Sequence, residues 1–204
     1  MRTPTLKRLA GTAALALALA ACKDSTGSGP NPSGDLSFTF TGAKAGEFAA
    51  SGAFDPDAND LPDYAAAFVV RGELVLIASD RLPSGRSNLF VLYAPPVTGV
   101  TTCTVTTAPN ACFIRGEFLT GASSDPNQGN EGLFTGEVGT VEVTELANNR
   151  VRGTFTITLR GQGTVASEIE VRTGTFDAPF VSALQLDPNR GVLPPAAPPS
   201  FGGR

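Results

Sequence analysis

Ten residues, "DPDANDLPDY" from Asp55 to Tyr64, hold four aspartates and an asparagine in a chain that is only 17% charged. Asp55, Asp57, Asn59 and Asp63 stand at positions 1, 3, 5 and 9 of a calcium-loop frame, a spacing that lets alternate side chains converge on one hard cation. Asp60 occupies the position where such loops use glycine, and Ala66 the position of the bidentate glutamate. A cation held here would therefore bind weakly, at roughly 10⁻⁴–10⁻³ M. Asp-Pro, Asn-Asp and Pro-Asp are also turn formers whose charges keep a loop in water. The spacing leaves a calcium site and a wide turn both open.

Other chemistry-bearing residues are scarce. No histidine occurs among the 204 residues, which removes Ser-His-Asp and Cys-His arrangements and histidine acid–base catalysis. Neither GxSxG nor SxxK is present. "GQGTVA" at 161–166 fits GxGxxA in letters, yet it lies between two strand-like segments instead of opening a helix, so it reads as a hairpin loop. Acidic residues that could hydrolyse glycosides are present, but no spacing singles out a pair. The expectation is a protein without catalytic activity.

Cys103 and Cys112 lie in "TTCTVTTAPNACFIRGEF", whose flanks are rich in Thr, Val, Phe and Ile and whose "APNA" supplies turn chemistry. The stretch predicts a β-hairpin with arms of equal length, which would set the two cysteines opposite each other within disulfide reach. Closing so short a loop would add roughly 2–3 kcal/mol. A zinc or redox pair fits poorly, because the spacing is not CxxC and no histidine completes a set.

At the N-terminus Arg2, Lys7 and Arg8 precede an apolar run from Leu9 to Ala21, the pattern of an export signal. The run is short of the roughly 20 residues a membrane-spanning helix needs. It ends Leu19-Ala20-Ala21-Cys22, which resembles the lipobox of bacterial lipoproteins. That resemblance implies cleavage after Ala21, lipid on Cys22 and anchoring in a membrane. With Lys23 next, it implies the outer membrane of the cell envelope. Residues 22–34, rich in Ser, Gly and Pro, have the composition of a flexible tether. Without residues 1–21 the chain carries 12 Lys and Arg against 19 Asp and Glu, formally −7. Only Lys23 and Lys44 remain as lysines, so there is no basic stripe for nucleic acid.

The remaining chain alternates with the two-residue period of half-buried strands. In "NNRVRGTFTITLRG", Val151, Gly153, Phe155, Ile157 and Leu159 point one way, and Arg152, Thr154, Thr156, Thr158 and Arg160 the other. "GTVEVTEL" alternates before it, and the Asn-Asn turn joins the two as a hairpin. Further strands are predicted at 36–42, 46–54, 66–78 with a break at Gly72, 87–94, 99–106, 111–119 and 165–178. Many short strands between turns predict an all-β fold, a single antiparallel β-sandwich or barrel of about eight to ten strands. The domain is placed at 35–186, and residues 187–204 form a Pro- and Gly-rich tail. "FVVRGELVLIASD" and "FIRGEFLTGASSD" share a pattern that shared turn chemistry explains as well as duplication does.

The C-terminal "GTVEVTELANNRVRGTFTITLRG" and "EIEVRTGTFDAPF" resemble the closing strands of small β-rich bacterial envelope lipoproteins. The resemblance implies fold and location and brings no catalytic residue. The acidic run resembles thrombospondin type 3 calcium repeats, which implies calcium as the one cofactor to consider. The functional expectation is a lipid-anchored envelope module, structural or interacting with another envelope protein. The alternatives are a lipocalin-like barrel holding a small apolar ligand, and a calcium-stabilised surface binding module.

Overall fold

The computed structural model describes residues 31–58, 60–104, 113–125, 128–162 and 167–181. Ten strands are formed and, among the described residues, no helix. They are β1 (Ser33–Gly42), β2 (Gly46–Ala53), β3 (Tyr64–Val70), β4 (Glu73–Arg81) and β5 (Ser87–Ala94). β6 (Gly99–Cys103), β7 (Arg115–Ala122), β8 (Gly132–Ala147), β9 (Arg150–Gly161) and β10 (Glu168–Pro179) follow. All pair antiparallel in one sheet, in the order β2-β1-β10-β9-β8-β7-β5-β4-β3, with β6 attached to β8. The sheet curls into a nearly closed barrel.

Turn chemistry sets several of these elements directly. Asn148 and Asn149 both take positive φ, 53° and 59°, between the paired Ala147 and Arg150. Such a two-residue turn follows the right-handed twist of its strands, and asparagine tolerates this backbone region. Arg71 and Gly72, at 53° and 83°, do the same between Val70 and Glu73. The predicted 66–78 segment is therefore two strands with the break at Gly72. The matching Arg115-Gly116 lies inside β7, so the shared "RGE" pattern serves as a turn once and as a strand once.

Two expectations are corrected. The hairpin predicted between 99–106 and 111–119 does not form a ladder among the described residues. β6 pairs with the second half of β8, Gly99 opposite Val143 through Cys103 opposite Gly139, while β7 pairs with β5 and the first half of β8. The reason is length: β8 has 16 residues and β7 only eight, so β8 offers five further residues that β6 occupies. Secondly, β8 begins at Gly132 rather than near Gly139. The added residues, "GLFTGEVG", include Gly136, where a Cβ would lie 2.0 Å from the Thr158 carbonyl oxygen. Glycine there lets β9 approach.

Inward-facing side chains fill the barrel. Eight of the thirteen phenylalanines belong to its main core. Phe38 is their hub: it stacks on Phe48 at 4.7 Å between ring centroids and meets Phe90, Phe118 and Phe155 within 5.9 Å. Such offset and edge contacts add roughly 0.5–1.5 kcal/mol per pair beyond area burial. A second, smaller core forms on the other side of β3 and β4, where Phe54 and Val181 cover Tyr64, Ala66, Phe68 and Val75.

The seam lies where β3 meets the ends of β1 and β10. A Cβ at Gly34 would fall 2.2 Å from the Ala65 carbonyl oxygen, so only glycine permits that approach. Beyond β10, Phe180 bridges to Ala67 and the Val181 amide donates to the Ala67 carbonyl at 2.9 Å. Phe180 is itself fixed by the Asn149 turn, through its amide to the Asn149 carbonyl at 2.8 Å and the Asn149 side chain to its own carbonyl at 3.0 Å.

Candidate functional site

The acidic loop connects β2 to β3. The Asp57 amide donates to the Asp55 carboxylate at 2.9 Å, and the Ala58 amide to the Asp55 carbonyl at 3.3 Å, a turn stabilised by its own aspartate. Asp63 accepts the Arg81 backbone amide, and Asp60 pairs with the Arg81 guanidinium. Asn59 lies outside the described residues. Thus Asp55 serves its own turn and Asp63 fastens β3 to β4. No three acidic, cysteine or histidine side chains among the described residues gather as a metal-holding group.

Cys103 ends β6, is buried at 2% exposure and is disulfide-bonded. Cys112 and Cys22 lie outside the described residues.

Ion pairs concentrate where β8, β9 and β10 meet the barrel end carrying the Asn turn. The Asp177 carboxylate receives Arg150 Nε at 2.6 Å and Arg152 Nε at 2.8 Å, and Arg152 reaches Glu145 at 2.6 Å. Partial burial opposes ionisation of Asp177, but the hydrogen bonds from Arg150 and Arg152 hold its carboxyl below the usual range. At the opposite end of β9, Arg160 faces Glu168 at 3.6 Å.

Between these ends β9 floors a trough on the outer wall. Its outward positions run Arg152, Thr154, Thr156, Thr158, Arg160, about 27 Å at ~3.4 Å per residue. This is the wet side anticipated from the alternation. Two adjoining grooves occupy the trough. One of about 290 Å³ lies among Thr140, Glu142, Thr154, Thr156, Thr173 and Thr175, and one of about 360 Å³ lies among Val138, Thr158, Arg160 and Glu168. The first is opened by a bulge in β10: the register jumps from Val171 to Gly174, so that both Arg172 and Thr173 point outward. At Gly174, which faces the interior, a Cβ would collide with the Phe155 ring at 2.3 Å, so glycine there makes room for that ring in the core beneath the bulge.

Hydroxyls on the flanks are partnered: Ser37 with Thr175 at 3.1 Å, Thr39 with Thr173 at 3.2 Å and Thr102 with Thr140 at 3.2 Å. Along the floor, the hydroxyls of Thr154, Thr156 and Thr158 make no hydrogen bond to described residues, and Glu142 has no ion pair among them. The trough was not singled out from sequence. Alternation gave its five floor positions, but the bulge and the cross-strand neighbours belong to the register.

The chain shows no significant match to protein-family models, curated proteins or solved structures.

Proposed function

We propose that the chain is a lipid-anchored, non-catalytic envelope module that presents the outer wall of its barrel to a partner. The observation that carries this reading is the contrast between inside and outside. Eight phenylalanine rings occupy the interior, whereas the wall of β8, β9 and β10 carries grooves in which the hydroxyls of Thr154, Thr156 and Thr158 bond no described residue. A carrier of an apolar ligand keeps an apolar hollow for it; here the contacts that could hold such a ligand are made between rings. The filled interior thus favours recognition on the surface.

Anchoring rests on the Leu19-Ala20-Ala21-Cys22 tetrad. Asn31 is fixed by its side-chain amide to the Phe54 carbonyl at 2.6 Å, and the nine residues from Cys22 to Asn31 reach at most about 30 Å. Lipid on Cys22 would hold the barrel close to the bilayer. We assign the Cys103 disulfide to Cys112, the remaining cysteine of the domain.

The test is membrane fractionation with labelled-palmitate incorporation. Cys22→Ala should release the protein into the soluble fraction and abolish labelling; unchanged partitioning would refute the anchor. Non-reducing peptide mapping should recover Cys103 joined to Cys112, and a free Cys112 thiol would refute that pairing.

A further inference from the structure

The geometry points to the trough along β9 as a binding groove for an extended, neutral glycan, with Thr154, Thr156, Thr158 and Glu142 as its hydrogen-bonding residues. The inference deepens the interaction-module reading above and rests on it.

The chemistry of the trough selects the ligand class. β9 is hydrogen-bonded to β8 on one side and β10 on the other, so an extended peptide finds no open strand edge there to extend. Recognition must come from side chains. Those on the floor are hydroxyls, each able to donate and accept, the same bifunctional chemistry that a sugar's hydroxyls offer in return. Glu142, outward on β8 opposite Thr154, is a carboxylate able to accept two such hydrogen bonds.

Charge narrows the class further. The guanidinium groups around the trough are engaged by carboxylates of this chain: Arg152 by Asp177 and Glu145, Arg160 by Glu168, and Arg172 by Glu170 at 2.9 Å. With these cations paired and Glu142 in no ion pair among the described residues, a polyanion would be repelled.

The form is that of a site shaped for a chain rather than a single small molecule. Two grooves adjoin end to end along one strand, and the rows Thr154–Glu142, Thr156–Thr140 and Thr158–Val138 cross it in register. The bulge at Arg172 widens the trough at mid-length. Bulges re-aim side chains in this way where strands border functional surfaces.

The test is calorimetric titration of the full-length protein in detergent micelles with maltohexaose, cellohexaose and chitohexaose. At least one should bind saturably, with affinity unchanged between low and ~0.5 M salt because no ionic contact is involved. Glu142→Ala and Thr156→Val should each weaken binding about five- to tenfold, the loss of one hydrogen bond. Thr156→Val keeps the β-branch, so the strand is preserved, and Val69→Thr on the distant β3 should change nothing. No binding of any of the three, affinity indifferent to both variants, or affinity that collapses with salt would overturn the proposal. Saturation by a neutral seven-residue peptide in competition with the sugar would also overturn it. Because binding is read in solution, its failure is distinct from failure of the anchor, which Cys22→Ala alone reports.

Discussion

Asp177 shows how one carboxylate can tie several strands. It bonds Arg150 and Arg152 on β9, while Arg150 also reaches the Ser33 carbonyl on β1 at 3.0 Å. Burial works against the Asp177 charge, but the two arginines outweigh it and lower its pKa. A group with a depressed folded pKa contributes stability above its unfolded pKa, about 3.9, and loses it as pH falls through the folded value. Thermal melts should therefore weaken below about pH 4, and Asp177→Asn should both lower the melting temperature at pH 7 and flatten that acid limb. Asp80 behaves oppositely. Burial raises its pKa against hydrogen bonds from the Ala49 backbone and the Asn88 side chain, and nearby Asp63 raises it further. Its stabilising contribution is present below the unfolded pKa and is lost as pH rises through the raised one. Asp80→Asn should accordingly raise the melting temperature at pH 7, with the gain fading towards pH 4. Melts in matched buffers check both signs.

Among elements, the β8–β9 hairpin is the organiser. Its Asn148-Asn149 turn is legible in sequence because few residues accept positive φ twice in succession. Asn149 also holds Phe180, whose neighbour Val181 closes the seam on β3. Asn149→Ala should cost about 2 kcal/mol in urea unfolding, combining the left-handed backbone penalty and the lost hydrogen bond, whereas Asn148→Gly should be near neutral. At the seam itself, Gly34→Val would drive a side chain into the Ala65 carbonyl and should destabilise by about 1–3 kcal/mol. Hydrogen exchange should show the Val181 amide losing protection, which distinguishes an opened seam from general softening. The β6 pairing was not legible in this way. A strand of only five residues, Gly-Val-Thr-Thr-Cys, carries too little pattern to specify its partner, and only the unequal lengths of β7 and β8 made β8 its neighbour.

For the whole molecule, the barrel depends on its aromatic interior. Phe38→Ala should cost about 3–5 kcal/mol and leave a cavity, readable as a lowered urea midpoint. The all-β class, most strand positions and the inward and outward sides of β9 were determined by the sequence itself, because period-two alternation and turn residues act through neighbours along the chain. The same local signals named Asp55, Asp57 and Asp63, yet what surrounds those carboxylates came from elsewhere. Arg81, eighteen residues beyond Asp63, donates its amide to Asp63 and its guanidinium to Asp60. Whether the inward residues would enclose a hollow or fill one was likewise invisible, since Phe38, Phe90, Phe118 and Phe155 are separated by tens of residues and meet only across the closed sheet. Strand periodicity says which way a side chain points. Register, bulges and closure, which depend on pairings between distant segments, decide what it meets there, and so decided that this barrel is packed within and grooved without.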